Sequence, residues 1–102
     1  MECTVVIPTI KINNLVSKIV KKTLSSDKKI KIIIVYNDNS KILKNSKRVK
    51  LIKTKEMNIS TKRNIGVHKS KTRFIALLDS DAYPDEDWFQ NAKLILKKNK
   101  KI

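Results

Sequence analysis

The sequence predicts an α/β fold, a mainly parallel sheet with helices on both faces. Three observations carry this. Short β-branched runs alternate with segments of helical periodicity along the chain, the pattern of strands joined by helical crossovers. The run Ile30 to Tyr36 is apolar almost without alternation, as expected of a strand covered on both faces of a parallel sheet. No linker rich in Gly or Pro interrupts the 102 residues, so the chain reads as a single small domain, residues 1–102, with one modest core.

Each element follows in order. Thr4-Val5-Val6-Ile7 is a short β-branched strand ended by Pro8, which has no backbone donor to continue a central ladder. Leu15, Val16, Ile19, Val20 and Leu24 then recur at helical spacing, with Lys18, Lys21 and Lys22 on the other side. Asn13 or Asn14 suits the N-cap, and Ser25-Ser26-Asp27 closes the helix. After the buried strand, Asn37-Asp38-Asn39-Ser40 reads as a polar turn, and residues 41–48 as a short helix around Ile42 and Leu43. Val49 to Thr54 alternates polar with apolar, a strand nearer the sheet edge. Ser60 to Ser70 reads as a short helix containing the only glycine, Gly66. Glycine inside a helix costs about 1 kcal/mol against alanine, so close packing on a neighbour is expected there. Phe74 to Leu78 is another buried strand, and Pro84 opens a last helix carrying Trp88, Phe89, Ala92, Ile95 and Leu96.

Ligands of such sheets gather outside the carboxyl ends of the strands. The residues there are Pro8-Thr9, Asn37-Asp38 and Asp79-Ser80-Asp81. Charge is distributed to match. The chain carries 24 Lys+Arg against 9 Asp+Glu, a formal +15. Five of the nine acids, Asp79, Asp81, Asp85, Glu86 and Asp87, fall within 79–87. A pI near 10 opens a nucleic-acid reading. However, 21 of the 24 cations are Lys, and Ile, Lys and Asn, all with A/T-dominated codons, supply 45 residues. Coding bias, and the Lys enrichment of hyperthermophiles, therefore account for much of the excess. No apolar run approaches a membrane span and no secretory signal is evident. The single cysteine, Cys3, excludes an internal disulfide, so a reducing, cytoplasmic location is expected.

Asp79 and Asp81 lie two apart directly after a buried strand. Hard divalent cations such as Mg²⁺ and Mn²⁺ take oxygen ligands of this kind, completed by substrate phosphates and water. A polar turn offsetting a basic surface is the simpler account of the same pair. Asp85, Glu86 and Asp87 follow Pro84 and fit the first turn of a helix, where acids complement the dipole.

The segments VVIPT, IVYNDNS, STKRNIGV and RFIALLDSDAYPDEDW, in that order over about residues 3–96, resemble the nucleotide-binding half of family-2 glycosyltransferases. The resemblance implies the Rossmann-like GT-A fold, a nucleotide-sugar donor of UDP- or GDP-type, and a divalent metal held by the Asp-x-Asp. It implies that Pro8 and Thr9 line the nucleotide pocket, that Asp38 accepts a hydrogen bond from the base, and that Arg63 lies near the diphosphate or the base. Asp79 and Ser80 would sit near the ribose or sugar, and Asp81, with Asp79, would hold the metal. On the residues alone, Asp38 is also a simple Asx turn, Arg63 a surface cation, His68 a surface helix residue and Trp88 a core residue.

Departures qualify the match. Ile10-Lys11 stands where the family has an aromatic-Asn pair, and Asn37 replaces the first of two acids. Members of the family are generally at least about twice this long, and their acceptor site and general base lie beyond the Asp-x-Asp. The chain therefore reads as a minimal or truncated donor-binding half, whose acceptor is unassigned. A second subunit or a partner would complete its site, or else the chain is only a fragment. The alternative, from a different class, is a non-catalytic basic module on the same fold that binds nucleic acid or a protein partner.

Overall fold

The computed structural model describes residues 2–26, 28–39, 43–78 and 95–97. Strand β1 (Cys3–Pro8) leads through a two-residue strand β2 (Lys11–Ile12) to helix α1 (Asn14–Ser26). Strand β3 (Ile30–Tyr36), the short β4 (Asp38–Asn39) and β5 (Val49–Lys53) follow. Helix α2 (Ile59–Lys69), β6 (Phe74–Leu77) and β7 (Ile95–Lys97) complete the order. The main sheet runs β5-β3-β1-β6-β7. Its first four strands are parallel, and β7 is antiparallel to β6.

Residue parity separates the two faces. Cys3, Val5 and Ile7 of β1, Ile30, Ile32 and Ile34 of β3, and Ala76 of β6 form one buried cluster with Val16, Ile19 and Val20 of α1. The alternate positions Val6, Ile33, Val35 and Ile75 are also buried, and α2 lies over that side. Both faces of β1 and most of both faces of β3 are therefore covered, which is why their sequences hardly alternate. Gly66 is the contact point: a Cβ there would overlap Val6 Cγ1 and lie 3.1 Å from Val6 Cγ2. The close packing expected of this glycine is present, and its partner is the central strand.

The ends of the helices follow local chemistry. Asn13 is the N-cap of α1, its Oδ1 accepting from Val16 N at 3.0 Å. Ser25 and Ser26 donate to the carbonyls of Lys22 and Thr23 in the last turn, satisfying acceptors the helix leaves open. Asn58 caps α2 by accepting from Thr61 N.

Three expectations are corrected. Of the short helix expected over 41–48, residues 41 and 42 lie outside the described residues and 43–48 are not helical; Asn45 and Ser46 side chains instead accept from Leu51 N and Val49 N, an alternative to helix that short polar side chains offer the backbone. Ile95 and Leu96 are not in a helix but in β7, where they pair with Ile75 and Ala76. The edge of β6 presents unpaired backbone groups that a β-prone segment can satisfy. Pro84, Trp88, Phe89 and Ala92 of the same expected helix lie outside the described residues. The turn after β3 is also more ordered than a simple loop, because Asp38–Asn39 pairs with Lys11–Ile12.

Candidate functional site

The carboxyl ends of β1, β3 and β6 reach one edge of the sheet. Pro8 pairs with Val35, and Leu78, the residue after β6, donates its N–H to Val6 O at 3.1 Å. Beyond β1 the chain turns over this edge, with Thr9 N bonded to Val35 O at 2.9 Å. The amides of Asn37 and Asp38 both donate to Ile10 O, at 3.0 and 2.9 Å. The Thr9-Ile10-Lys11 segment is thereby laced to the end of β3. It borders a cavity of about 260 Å³ lined by Pro8, Thr9, Ile10, Lys11, Asn13, Ile59 and Lys62.

The expected site residues divide into four groups. Pro8 and Thr9 line this cavity; Thr9 is buried, and its hydroxyl donates to Lys11 O at 3.1 Å. Asp38 is exposed on β4, beside Lys11 in the small sheet. Arg63 is half-buried on α2 and is not among the described residues lining the cavity. Asp79, Ser80 and Asp81 lie outside the described residues, immediately after Leu78. Among the described residues, no three His, Cys, Asp or Glu side chains gather to hold a metal.

The residue that sequence reasoning missed is Lys62. Its side chain has 0% exposure. Nζ donates to Thr9 O at 2.9 Å and to Asn37 Oδ1. Removal from water disfavours the ammonium, so its pKa is lowered from the ordinary 10.5. Asn37 in turn donates through Nδ2 to Thr54 O at 2.8 Å and Glu56 O at 2.9 Å. A signal for Lys62 was present. It stands four residues before Gly66, so it shares the helix face that packs on the sheet. A lysine on that face must be buried.

A second cavity, of about 240 Å³, opens at the opposite edge, by the amino ends of the strands. Lys31, Lys47, Arg48, Lys50, Lys69 and Lys71 line it, with no acid among the described lining residues.

The sequence profile described as Glycosyl transferase family 2 matches residues 4–102. Among solved structures, the chain is similar to S. aureus TarS 1-349, with a TM-score of 0.72 and 15% identity. The match covers 90% of this chain and 31% of that one. A second structure of S. aureus TarS gives a TM-score of 0.69 at 14% identity, covering 90% of this chain and 19% of that one. At these identities the likeness is one of fold, and the chain spans less than a third of either relative. No curated protein matches the chain. Among the described residues, no helix is long and apolar enough to cross a membrane.

Proposed function

This chain belongs to glycosyl transferase family 2, and from that premise we propose that it binds a nucleotide-sugar donor at the carboxyl edge of its sheet, for glycosyl transfer. The observation that supports this reading most is the convergence of β1, β3 and β6 on one edge, with a cavity beside Pro8 and Thr9. Thr9 would line the base pocket, Asp38 would accept a hydrogen bond from the base, and Arg63 would approach the diphosphate or base. Asp79 and Asp81, with Ser80 between them, begin one residue beyond Leu78, whose N–H is bonded to Val6 O. Their carboxylates are the oxygen donors suited to a divalent cation, Mn²⁺ or Mg²⁺. When bound, that cation supplies neutralisation of the charge that develops on a departing diphosphate.

The acceptor, and the base that would take its hydroxyl proton, are assigned to no residue of this chain. Isothermal titration of the chain with UDP- and GDP-sugars in the presence of Mn²⁺ tests the donor reading. Binding is expected, and Asp81→Ala is expected to weaken it at least tenfold. Absence of binding, or binding indifferent to that substitution, would overturn it.

A second reading is favoured by the basic cavity. Six cations drawn from β3, β5, α2 and the loops around them converge at the amino edge, a surface suited to a polyanion such as nucleic acid. It concerns the opposite end of the sheet and can hold alongside the first reading.

A further inference from the structure

A single buried side chain joins the end of β1, which borders the cavity at the carboxyl edge, to the end of β3. Lys62 lies in the first turn of α2, on the face that packs against the sheet. Its Nζ donates to the backbone of Thr9, just past β1, and to the side chain of Asn37, just past β3. Asn37 extends the chain of hydrogen bonds to Thr54 O and Glu56 O, beyond β5. Three strand ends and one helix are thus tied at the ligand edge through one ammonium and one amide.

Packing alone does not explain a lysine here. A buried ammonium gives up its hydration, and an apolar side chain of similar volume would fill the same space at lower cost. What an apolar residue lacks is directed donors. Those of Lys62 fall on the Thr9 carbonyl and the Asn37 amide, and so fix the Thr9-Ile10-Lys11 turn relative to the end of β3. Asn37 stands where the resembling family carries an acid. An amide there can both accept from Lys62 and donate onward, which a carboxylate cannot do.

Resting on the donor reading above, we infer that Lys62 is a positioning residue for the nucleotide site, acting through Thr9 and Asn37 to hold the ends of β1 and β3 in binding register. It need not touch the ligand. Pre-setting a pocket removes an ordering cost from binding, so loss of the latch should be read in affinity even when the fold survives.

The test uses the full chain, UDP and GDP as probes with Mn²⁺, and amide hydrogen exchange as a local readout. Lys62→Met is expected to remain folded, to bind the nucleotide at least tenfold more weakly, and to lose protection at the amides of Thr9, Asn37 and Asp38. Asn37→Ala should give a similar loss, and the double variant little more than either single one, because both break the same latch. Unchanged affinity in a folded Lys62→Met, or strictly additive losses, would overturn the inference. Should Lys62→Met fail to fold, Asn37→Ala decides alone, and unchanged affinity there overturns it. If the unmodified chain binds neither nucleotide, the donor reading is what fails. Exchange at the three amides then decides the latch by itself: raised exchange confined to them supports it, and unchanged exchange removes it.

Discussion

Two residues on the same face of α2 carry consequences out of proportion to their number. Gly66 meets β1 so closely that a Cβ would run into Val6. Val6 has 0% exposure and sits on the central strand, where it has little room to move. Alanine at position 66 would recover about 1 kcal/mol of helix propensity against an overpacking cost of about 1–3 kcal/mol. Gly66→Ala is therefore expected to destabilise, by up to about 2 kcal/mol. That would lower Tm by roughly 4–8 °C per kcal/mol in a domain of this size. Val6→Ala is itself destabilising at this buried position, but the double variant should lose less than the sum of the two single ones, and strict additivity would contradict the contact. Lys62, four residues earlier, predicts a pH dependence. Its pKa is lowered in the folded chain by burial. Below that lowered value both states hold the proton and the burial penalty is present in full. Between it and the ordinary 10.5 the unfolded chain binds more protons, so stability rises with pH. Measured by denaturation, the stability of the unmodified chain relative to Lys62→Met should increase as pH approaches 10.5. A difference that stays flat would show that Lys62 is not buried as a charged group.

Between elements, Arg48 closes the polar segment expected to form a short helix around Ile42 and Leu43, and its side chain makes tertiary bonds instead. Its Nε donates to Ile30 O at 2.9 Å and one terminal nitrogen to Leu24 O at 3.2 Å. The start of β3 is thereby tied to the last turn of α1. Hydrogen bonds from a charged group contribute about 1.5–3 kcal/mol, so Arg48→Ala should cost an amount in that range. Exchange should rise first at the end of α1. Arg48→Lys should recover little, because a point ammonium cannot reproduce the two-pronged geometry. Loss of stability without local exchange at α1 would refute the tie. The same contact explains where the sequence was legible. The Ile30–Tyr36 run and the α1 stripe announce themselves because burial on a fixed period dictates residue type. Residues 43–48 do not, since Asn45, Ser46 and Arg48 are committed to partners distant in sequence or on the next strand. The end of the chain misled for a related reason. Ile95 and Leu96 fit a helical stripe equally well, and it is the open edge of β6, a tertiary circumstance, that draws them into β7. At the site, Pro8 and Thr9 were readable from strand-end position. Lys62 was hidden because a lysine in a lysine-rich chain looks like surface until the Gly66 face is recognised.

At the scale of the whole molecule, the +15 charge acquires a direction. The parallel strands set carboxyl ends and amino ends at opposite edges, so the two cavities are separated by the length of the sheet. At the amino edge, Lys31, Lys47, Lys50, Lys69 and Lys71 are exposed around one opening, with Arg48 partly buried beside them. Abundance of lysine explains a row such as Lys18, Lys21 and Lys22 on α1, which needs only one helix face. It explains less readily a cluster assembled from separate elements, because like charges brought together by folding repel. A polyanion would relieve that repulsion and release its own counterions, so binding should weaken steeply as salt rises. Replacing Lys47, Lys50 and Lys71 together by Gln leaves the core and the carboxyl edge untouched. Each lost phosphate contact should flatten the slope of log affinity against log salt by roughly 0.7–0.9. Filter binding of single- and double-stranded DNA across a salt series measures this. The expected outcome is a steep slope for the unmodified chain, a flatter one for the triple variant, and equal nucleotide binding by both. DNA retention that ignores the triple substitution would place the polyanion elsewhere, and no retention at moderate salt would leave the charge to composition alone.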